Sequence, residues 1–533
     1  MNHPTQDQPS TAAQYYASGY WKPLDLWTSF ADCAQRNAER VALIADEKQM
    51  LFGELLDAAA RLGCGLRALG VQHGDVVVIH GRNSIETTQA LLACAYVGAV
   101  MAPVPPMFSV AQLASVFESA HARFVIALGD EKEVSRAHEA AGGVASVARF
   151  VASDDVAAPA AALRWSELHH RGELLPRNAV DPEALALLVY SSGTTGAPKG
   201  VMHSANTVRY AIEQRARLHG VVPGDVSLVV SQFGFVGSVV FGLLLGPLTG
   251  ASSVLMRSWN GDAAVRLIER HRVSYGLMMP THVHDLLSSS LLPNADVGSF
   301  RRSAMGGLAR ERRLEVRRRL CPQPLPAYGM SECLGYTSCS LDDPEDKALT
   351  TEGHPYPGTQ TIVCDDDDRP VKAGVTGAIL VRGPSRFLGY HGAGELSAQA
   401  ITAQGWFRTG DLGWLDEAGY ITFVAREKDI IRRGGVTIVP GDLEATLMGH
   451  PRIEHVAVVG LPDARLGERA CACVITRDGA PIALQELTDF LDLRGVARYT
   501  WPESVAMFSS FPRSASLKVQ KRALVEQLTK DQR

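Results

Sequence analysis

The alternation of strand and helix patterns between residues 75 and 128 constrains the fold more than any other feature of this chain. Asp75–His80 has the composition of a buried strand, Ile85–Val97 that of a helix, and Gly98–Val104 that of the next strand. Phe124–Leu128 repeats the strand pattern. A strand, a helix and a strand in this order form a βαβ unit, in which the two strands lie parallel. The sequence therefore predicts an α/β fold with parallel sheets flanked by helices.

The length of the chain predicts more than one domain, because 533 residues exceed what one hydrophobic core usually supports. After Gly353 the pattern changes to short strands with Gly and Asp turns, which indicates a small β subdomain. Charges interrupt a strand pattern at Ala425–Asp429, and we place a domain boundary there. We expect an N-terminal domain of residues 1–427, with the parallel sheets and the β subdomain, and a small mobile α+β lid of residues 428–533.

Composition excludes several classes of function. A net charge of −5 argues against general binding to nucleic acid or to a membrane surface. The uncharged run Gly234–Met256 has the length of a membrane span, but Gly, Ser, Thr and Pro interrupt it, which favours a buried helix and strand beside a pocket. We expect no membrane span and no nucleic-acid partner.

Cysteine usage and the N-terminus predict a cytoplasmic protein. The first residues lack the basic and apolar regions of a signal peptide. The nine cysteines are widely spread, and the closest pair, Cys471 and Cys473, is expected on opposite faces of a strand. This pattern indicates neither a metal site nor a disulfide framework.

The run Leu188–Gly200 places hydroxyls, glycines and one lysine in a loop directly after an apolar strand pattern. Glycines let backbone N–H groups approach phosphate oxygens, the hydroxyls add donors, and the lysine supplies a positive charge. No Gly-Lys-Ser/Thr closes the run, which excludes a Walker A loop. The alternative is a flexible linker, but linkers rarely follow such a strand. We therefore predict a phosphate-holding loop with the contacts Ser191, Ser192, Gly193, Thr194, Thr195 and Lys199.

Three further motifs are compatible with nucleotide chemistry. Tyr328–Glu332 places an aromatic ring and a carboxylate around a glycine turn, and a carboxylate together with ATP phosphates suits Mg²⁺. Gly405–Gly413 has the pattern of a strand that ends in a tight turn presenting Asp411, a carboxylate able to accept from two ribose hydroxyls. Phe511–Lys521 is a basic segment near the C-terminus. Each motif has an ordinary alternative when taken alone: a surface turn, an Asx turn and a solvated tail.

From about Tyr20 to the C-terminus, the order and spacing of these motifs resemble the adenylate-forming superfamily. That superfamily includes acyl-CoA synthetases, aryl-acid AMP ligases, peptide-synthetase adenylation domains and luciferases. The resemblance implies that ATP and Mg²⁺ bind here. It assigns the adenine, phosphate, ribose and magnesium contacts to Tyr328, Gly329, Ser331, Gly306, Gly307, Asp411, Arg426 and Glu332. In this scheme Tyr328 stacks on adenine, Asp411 holds the ribose and Glu332 helps to hold the metal.

The resemblance also implies a catalytic set of Lys518, Glu332 and Thr195, and a hinge at Lys428. Attack of a carboxylate on the α-phosphate brings two anions together, so a lysine that bridges both is what the reaction requires. In this chain Leu517 precedes that lysine, where the family usually has glycine. Leucine resists a positive φ, which leaves open a catalytically weakened homologue that binds adenylates.

The acyl pocket is expected in the runs Ser231–Gly237 and Leu277–Thr281, with contacts from Phe233, Gly234, Phe235 and Met279. Neither run contains an acidic or basic residue, so an amino group on the substrate would lack a partner. A nonpolar aliphatic, alicyclic or aryl acid fits better. Packing in the core is the alternative for these side chains, since periodicity does not separate it from pocket lining.

The expected reaction is ATP-dependent formation of an acyl-adenylate with release of pyrophosphate, followed by thioester formation with coenzyme A. The run Arg433–Pro440 resembles the Gly-Gly form of acyl-CoA and aryl-acid ligases, and residues 330–358 resemble cyclohexanecarboxylate-type and medium-chain acyl-CoA ligases. Gly19-Tyr20-Trp21 resembles dihydroxybenzoate AMP ligases, so a phosphopantetheine carrier protein is the alternative acceptor. A monomer or a homodimer is expected.

Overall fold

The computed structural model describes residues 12–157, 159, 161–169, 174–191, 198–513 and 519–530, without the side chain of Ser191. The chain divides into two compact units. The first unit comprises Met1–Thr361 and Val381–Phe407, and the second comprises Ile362–Leu380 and Arg408–Arg533. The boundary expected at Lys428 lies within the second unit and stays a prediction.

Strands occur along the whole described chain. In chain order they are β1 (Val41–Ala45), β2 (Lys48–Leu51), β3 (Val76–Gly81), β4 (Val100–Val104), β5 (Phe124–Leu128), β6 (Arg149–Ala152), β7 (Leu163–Arg164), β8 (Leu185–Ser191), β9 (Lys199–Ser204), β10 (Val226–Val229), β11 (Ser252–Leu255), β12 (Tyr275–Met278), β13 (Arg302–Met305), β14 (Gln323–Tyr328), β15 (Thr337–Ser338), β16 (His354–Pro355), β17 (Gln360–Cys364), β18 (Gly377–Arg382), β19 (Gly389–Tyr390), β20 (Phe407–Leu415), β21 (Ile421–Arg426), β22 (Ile431–Arg433), β23 (Val436–Ile438), β24 (Ile453–Asp463), β25 (Gly467–Thr476) and β26 (Ser504–Met507).

Helices connect most of these strands. They are α1 (Ala12–Ala17), α2 (Leu26–Arg36), α3 (Phe52–Ala68), α4 (Ile85–Val97), α5 (Val110–Ser119), α6 (Glu131–Gly142), α7 (Ala205–Leu218), α8 (Val236–Ser238), α9 (Leu245–Thr249), α10 (Gly261–Arg270), α11 (Pro280–Ser288), α12 (Arg310–Arg319), α13 (Glu345–Thr350), α14 (Gly394–Ala400), α15 (Pro440–Leu447), α16 (Leu484–Leu493) and α17 (Lys521–Lys530). Short 3₁₀ turns lie at Trp165–Leu168, Leu292–Asn294, Glu427–Asp429 and Arg498–Thr500, and a π-helical turn at Val239–Leu243.

One sheet of the first unit has the strand order β16-β15-β14-β13-β12-β10-β11-β1-β2. The strands from β14 to β1 pair in parallel, whereas β2, β15 and β16 join antiparallel. Parallel strands need crossover connections, and the helices between them supply these and cover the sheet. The register is continuous, since Arg302 of β13 pairs with Tyr275 on one side and with Gln323 on the other.

The other sheet of the first unit has the order β19-β9-β8-β4-β3-β5-β6-β7. Its β3-α4-β4 segment is the βαβ unit predicted from the sequence. Helix α4 begins after Ser84, whose hydroxyl accepts from the Thr87 N–H at 3.1 Å, and it ends at Gly98 with φ 79°. The expected parallel sheets flanked by helices, with a smaller C-terminal part, are confirmed.

The uncharged run Gly234–Met256 forms α8, the π-helical turn, α9 and β11. Its apolar side chains Val239, Val240, Leu243 and Leu245 are fully buried in the main core cluster of the first unit. Among the described residues, no helix is both long enough and apolar enough to cross a membrane.

The second unit contains two sheets, β17-β18-β20-β21 and β23-β22-β25-β24, and β26 pairs with β25. Helices α15 and α16 cover one side of the β24-β25 pair through Leu443, Leu447, Leu487 and Leu491. This arrangement of strands with packed helices is the α+β pattern expected for the C-terminal part.

The expectation for Cys471 and Cys473 was wrong. Both lie on β25 and both pack in one apolar cluster with Phe511 and Leu524. Side chains alternate across a strand, so residues two apart share a face. All nine cysteines lie in the described part of the chain, where each is buried and unpaired.

Candidate active site

The carboxyl ends of four neighbouring strands form the centre of the candidate site. Strands β14, β13, β12 and β10 are adjacent and parallel, so their carboxyl ends meet at one edge of the sheet, where ligands of such sheets usually bind. Each strand leads directly into residues singled out in the sequence. In chain order these are Phe233, Gly234 and Phe235 after β10, Met279 after β12, Gly306 and Gly307 after β13, and Tyr328 at the end of β14.

Glycines are required at this edge by close backbone approach. A Cβ at Gly306 would lie 2.4 Å from the Ala327 carbonyl oxygen of β14, and one at Gly329 would lie 2.3 Å from the Gly335 Cα. Gly307 has φ 68°, which side chains disfavour. Glycine at 306 and 329 therefore lets neighbouring backbone segments pack closely at this edge.

The motif Tyr328–Glu332 is held by β9, by β19 and by Phe387, two residues before β19. The His203 imidazole of β9 lies with Nε2 2.7 Å from the Ser331 carbonyl oxygen, and the Phe387 N–H donates to the Glu332 carbonyl at 2.8 Å. The Tyr390 hydroxyl of β19 donates to Glu332 Oε1 at 2.9 Å. These three bonds fix both the backbone of the motif and the carboxylate at its end.

The protonation of His203 follows from its surroundings. Complete burial lowers the pKa of His203 to about 4, so the ring is neutral at physiological pH. Because Nε2 faces a carbonyl oxygen, this nitrogen carries the proton, and Nδ1 lies 3.2 Å from the Thr207 hydroxyl. His203 is therefore a neutral donor that anchors Ser331.

Lys199 begins β9, and its ammonium nitrogen lies 5.7 Å from the centre of the Tyr390 ring. Ser191 and Lys199 are paired residues of the antiparallel β8-β9 ladder, so the predicted phosphate loop joins these two strands. Of that loop, Ser192, Gly193, Thr194 and Thr195 lie outside the described residues. The ladder nevertheless places Lys199 at the start of β9, the strand that pairs with β19, and places the other end of the loop on the far side of β9.

The acyl-side loop, residues 231–238, is attached to the core by Asn83. This side chain is 2% exposed, and its amide donates to the Ser231 carbonyl at 2.8 Å and to the Met256 carbonyl at 3.1 Å. The Ser238 hydroxyl donates to Asn83 Oδ1 at 2.6 Å. One buried amide thus connects the start and the end of the loop to the residue after β11.

The expected pocket residues divide by burial. Phe233 is only 1% exposed and belongs to the main core cluster, as the core-packing alternative predicted. Gly234 has φ 92°, and a Cβ there would lie 2.5 Å from Pro105. Phe235 and Met279 are half-buried at the carboxyl edge. The two half-buried side chains are therefore the better candidates for contact with an acyl group.

Asp411 and Arg426 face each other in the second unit. They are cross-strand partners of β20 and β21, and Arg426 Nε lies 3.4 Å from Asp411 Oδ1. Asp411 is 2% exposed and Arg426 is half-exposed. The expectation that the strand ends in a turn at Asp411 was wrong, because the ladder continues to Leu415. Lys428 lies in the 3₁₀ turn Glu427–Asp429, directly after β21. Leu517 and Lys518 lie outside the described residues.

Glu332 has the chemistry that a magnesium ion requires. A hard cation prefers carboxylate oxygen, and Mg²⁺ commonly uses one or two carboxylates together with substrate phosphates. A carboxylate has about four acceptor positions, so the single bond from Tyr390 does not exhaust them. The side chain is half-buried at the site rather than packed in the core. The residues present therefore fit a magnesium–nucleotide complex.

Three residues of the site were missed from the sequence: Asn83, His203 and Tyr390. Asn83 had a local signal, since it follows the carboxyl end of a buried strand and precedes a helix cap. His203 and Tyr390 had none, because their partners are 128 and 58 residues away in the chain. Only the strand pairing of β8, β9 and β19 brings them to the motif.

Comparisons with known proteins give a consistent assignment over nearly the whole chain. The AMP-binding enzyme family model matches residues 30–391, and the AMP-binding enzyme C-terminal domain model matches residues 442–518. The chain is 30% identical over 535 residues to a medium-chain fatty-acid–CoA ligase of Escherichia coli (strain K12), which covers 97% of this chain and 94% of that protein. It is 32% identical over 533 residues to a salicyl-AMP ligase/salicyl-S-ArCP synthetase of Mycobacterium tuberculosis, with 97% and 93% covered.

A solved structure of an anthranilate CoA ligase in complex with anthranoyl-AMP has the same fold. Its TM-score is 0.88 at 21% identity, and the match covers 96% of this chain and 98% of that one.

Proposed function

The chain belongs to the AMP-binding enzyme family, whose members activate acids as adenylates, and from this premise we propose that it is an acyl-CoA synthetase for a nonpolar carboxylic acid. ATP and the acid form an acyl-adenylate and pyrophosphate, and coenzyme A then takes the acyl group as a thioester and AMP leaves. The observation that carries the proposal is the convergence of Tyr328, Gly306 and the acyl-side loop at one sheet edge, with Glu332 fixed beside them.

The nucleotide is assigned to the edge residues and to the phosphate loop. The Tyr328 ring offers a stacking face for adenine, and we assign the backbone at Gly306 and Gly307, at the end of β13, to the same base. Ser331, Lys199 and the loop residues Ser191–Thr195 supply donors and positive charge for the phosphates. Asp411 and Arg426 are assigned to the ribose. When magnesium is bound, Glu332 would hold it, and the ion neutralises phosphate charge.

Adenylation is a displacement at the α-phosphorus. A carboxylate oxygen of the acid forms the new P–O bond, and the bond to pyrophosphate breaks, with its electron pair leaving on the pyrophosphate. Two anions must approach each other, so positive charge at the reacting atoms lowers the barrier. We assign this charge to Lys518, and the hydrogen-bonding role at the phosphates to Thr195.

The acid is assigned to the edge beside Phe235 and Met279. The runs 231–237 and 277–281 contain no charged side chain, so an ammonium group would be desolvated without a partner. An aliphatic, alicyclic or aryl acid meets no such penalty. Asn83 fixes the loop that carries Phe235, which favours a preformed pocket over one shaped by the substrate.

Coenzyme A is our proposed acceptor, and a carrier protein is the second candidate. Within the run Arg433–Pro440, Gly434 and Gly435 form the turn between β22 and β23, with φ 55° and 85°. This Gly-Gly form resembles that of acyl-CoA and aryl-acid ligases, and it favours these enzymes over a peptide-synthetase module. The mycobacterial relative, named as a salicyl-S-ArCP synthetase, supports the carrier alternative.

We further propose that residues 428–533 act as a lid that turns about Lys428 between the two half-reactions, a type of motion known from many enzymes.

A cytoplasmic location is proposed because all nine cysteines, which lie in the described ranges, are buried and unpaired, as a reducing compartment favours. We expect a monomer or a homodimer. The alternative is a weakened homologue that binds adenylates without efficient turnover, because Leu517 stands where the family usually has glycine.

The test is a product analysis by mass spectrometry. Purified protein is incubated with ATP, Mg²⁺ and a panel of aliphatic, alicyclic and aryl acids, with and without coenzyme A. An acyl-CoA product supports the ligase and identifies the acid class. Acyl-adenylate that persists with coenzyme A shifts the acceptor to a carrier protein, and the absence of both products supports the weakened homologue.

A further inference from the structure

We propose that Tyr390 is a positioning residue of the ATP site, which orients the Glu332 carboxylate toward magnesium with its hydroxyl and confines the Lys199 ammonium with its ring. This inference rests on the proposed function, because it assigns Glu332 to the metal and Lys199 to the phosphates. The Tyr390 side chain contacts both Glu332 and Lys199. No reacting atom is assigned to Tyr390 itself.

The backbone of Tyr390 is fixed from two directions. Strand β19 has two residues and lies antiparallel to β9, with Tyr390 opposite Val201. The flanking bonds run from the Leu388 N–H to the Met202 carbonyl and from the His391 N–H to the Gly200 carbonyl, both at 2.8 Å. The Tyr390 N–H donates to the Ser397 hydroxyl in the middle of α14, also at 2.8 Å. The ring therefore leaves the backbone from a defined position.

The ring is also supported from the side. The centre of the Phe387 ring lies 4.9 Å from that of Tyr390 at an interplanar angle of 66°, a favourable edge contact. The Phe387 N–H holds the Glu332 carbonyl, so the same short segment fixes the main chain of Glu332 and its carboxylate. A carboxylate on three rotatable bonds gains a single orientation from this pair of contacts.

The hydroxyl is a dependable donor. An ionised carboxylate only accepts hydrogen bonds, so the phenol O–H of Tyr390 is the donor of this pair. A hydrogen bond to an ionised acceptor is stronger than one between neutral groups. The bond to Glu332 Oε1 at 2.9 Å thus persists when the carboxylate is charged.

The Tyr390 ring attracts the ammonium group of Lys199. An ammonium within about 6 Å of an aromatic centre is attracted by the negative face of the ring, and Lys199 Nζ lies 5.7 Å from that of Tyr390. Lysine otherwise carries much side-chain freedom, which must be lost when it binds phosphate. Tyr390 reduces that freedom in advance. The hydroxyl and the ring therefore have separable roles, one toward the metal and one toward the phosphates.

The experiment compares ATP binding by calorimetry with and without Mg²⁺ in the full chain. Tyr390→Phe keeps the ring and removes the hydroxyl, so the Kd for ATP with Mg²⁺ should rise about tenfold, while the Kd without Mg²⁺ stays unchanged. Tyr390→Leu removes both and should weaken ATP binding in both conditions. Tyr210→Phe is the matched control, since it removes a buried hydroxyl that donates to the Pro357 carbonyl at 2.6 Å, and it should leave both values unchanged.

A double-mutant cycle separates positioning from general damage. If Tyr390 acts through Glu332, the variant carrying both Tyr390→Phe and Glu332→Gln should bind Mg²⁺-ATP no more weakly than Glu332→Gln alone. Equal Mg²⁺ dependence of Tyr390→Phe and wild type, or additive losses in the double variant, would overturn the inference. If the wild type binds no ATP at all, the proposed function fails instead, and the two failures are thus distinguishable.

Discussion

The Ser238 hydroxyl donates to Asn83 Oδ1 at 2.6 Å, and this bond joins residues 155 positions apart in the chain. The amide nitrogen of the same side chain donates to carbonyls at Ser231 and Met256. The donors and the acceptor of one buried amide are all in use. The acyl-side loop is therefore fixed by a residue that belongs to the other sheet's β3-α4 connection.

Replacement of Asn83 should raise KM for the acid more than KM for ATP. In Asn83→Ala the loop loses its attachment, so we expect KM for the acid to rise about tenfold with KM for ATP unchanged, and stability to fall by about 1–3 kcal/mol as buried carbonyls lose donors. Steady-state kinetics and denaturant unfolding measure these effects. Asn37→Ala removes another buried amide, which donates to the Cys33 carbonyl at 2.8 Å, and should lower stability without a change in either KM. An equal rise of both KM values in Asn83→Ala would contradict the role.

A methyl group at Gly306 should weaken nucleotide binding. The added Cβ would lie 2.4 Å from the Ala327 carbonyl, so β13 and β14 must separate at the end that presents Tyr328. We expect Gly306→Ala to raise the Kd for ATP at least tenfold in a calorimetric titration. Gly142→Ala in helix α6 is the control, because beyond its chain neighbours and its own helix backbone no atom lies within 4 Å of the added Cβ. Wild-type affinity in Gly306→Ala would show that this edge does not hold the nucleotide.

The parts of the fold that local pattern determines were predicted closely. Helix α4 spans Ile85–Val97 and β5 spans Phe124–Leu128, as expected, because apolar periodicity reports whether a strand or helix is buried. Asp411 was misplaced in a turn because Thr-Gly-Asp has turn composition, whereas its cross-strand partner Arg426 keeps it in a strand. Tyr390 escaped notice because its role depends on a strand pairing that no local window contains. Sequence thus located the motifs, and strand pairing determined what holds them.

Stability should fall as the pH drops from about 6.5 toward 4. Burial lowers the pKa of His203, His80 and His282 to about 4 in each case, against about 6.5 in the unfolded chain. Between these values the unfolded chain binds more protons, so the free energy of unfolding falls as the pH falls, by about 2 kcal/mol per histidine at pH 5. Urea unfolding at pH 7.5 and pH 5 measures the difference.

The contribution of His203 can be isolated. His203→Gln keeps a donor for the Ser331 carbonyl but does not titrate, and it should reduce the loss between pH 7.5 and pH 5. His73→Gln changes an exposed histidine and should leave the loss as in the wild type. An unaltered pH dependence in His203→Gln would rule out the contribution of this group.

Lys518 should matter for adenylation and little for ATP binding. We expect Lys518→Ala to abolish acid-dependent pyrophosphate exchange while the Kd for ATP stays near that of the wild type, because the charge is needed where the two anions meet. Lys530→Ala, at the exposed end of α17, is the control and should retain exchange. Leu517→Gly tests the departure from the family pattern, and faster exchange in that variant would show that leucine limits the reaction. Full exchange in Lys518→Ala would remove its assigned role.

We propose above that this chain activates a nonpolar acid at the carboxyl edge of its parallel sheet. The most direct measurement is exchange of labelled pyrophosphate into ATP with each acid of the panel, in wild type and in Glu332→Gln. We expect exchange that depends on a nonpolar acid and that falls at least tenfold in Glu332→Gln at limiting Mg²⁺. Exchange without any acid, or exchange supported by amino acids and unaffected by Glu332→Gln, would contradict it.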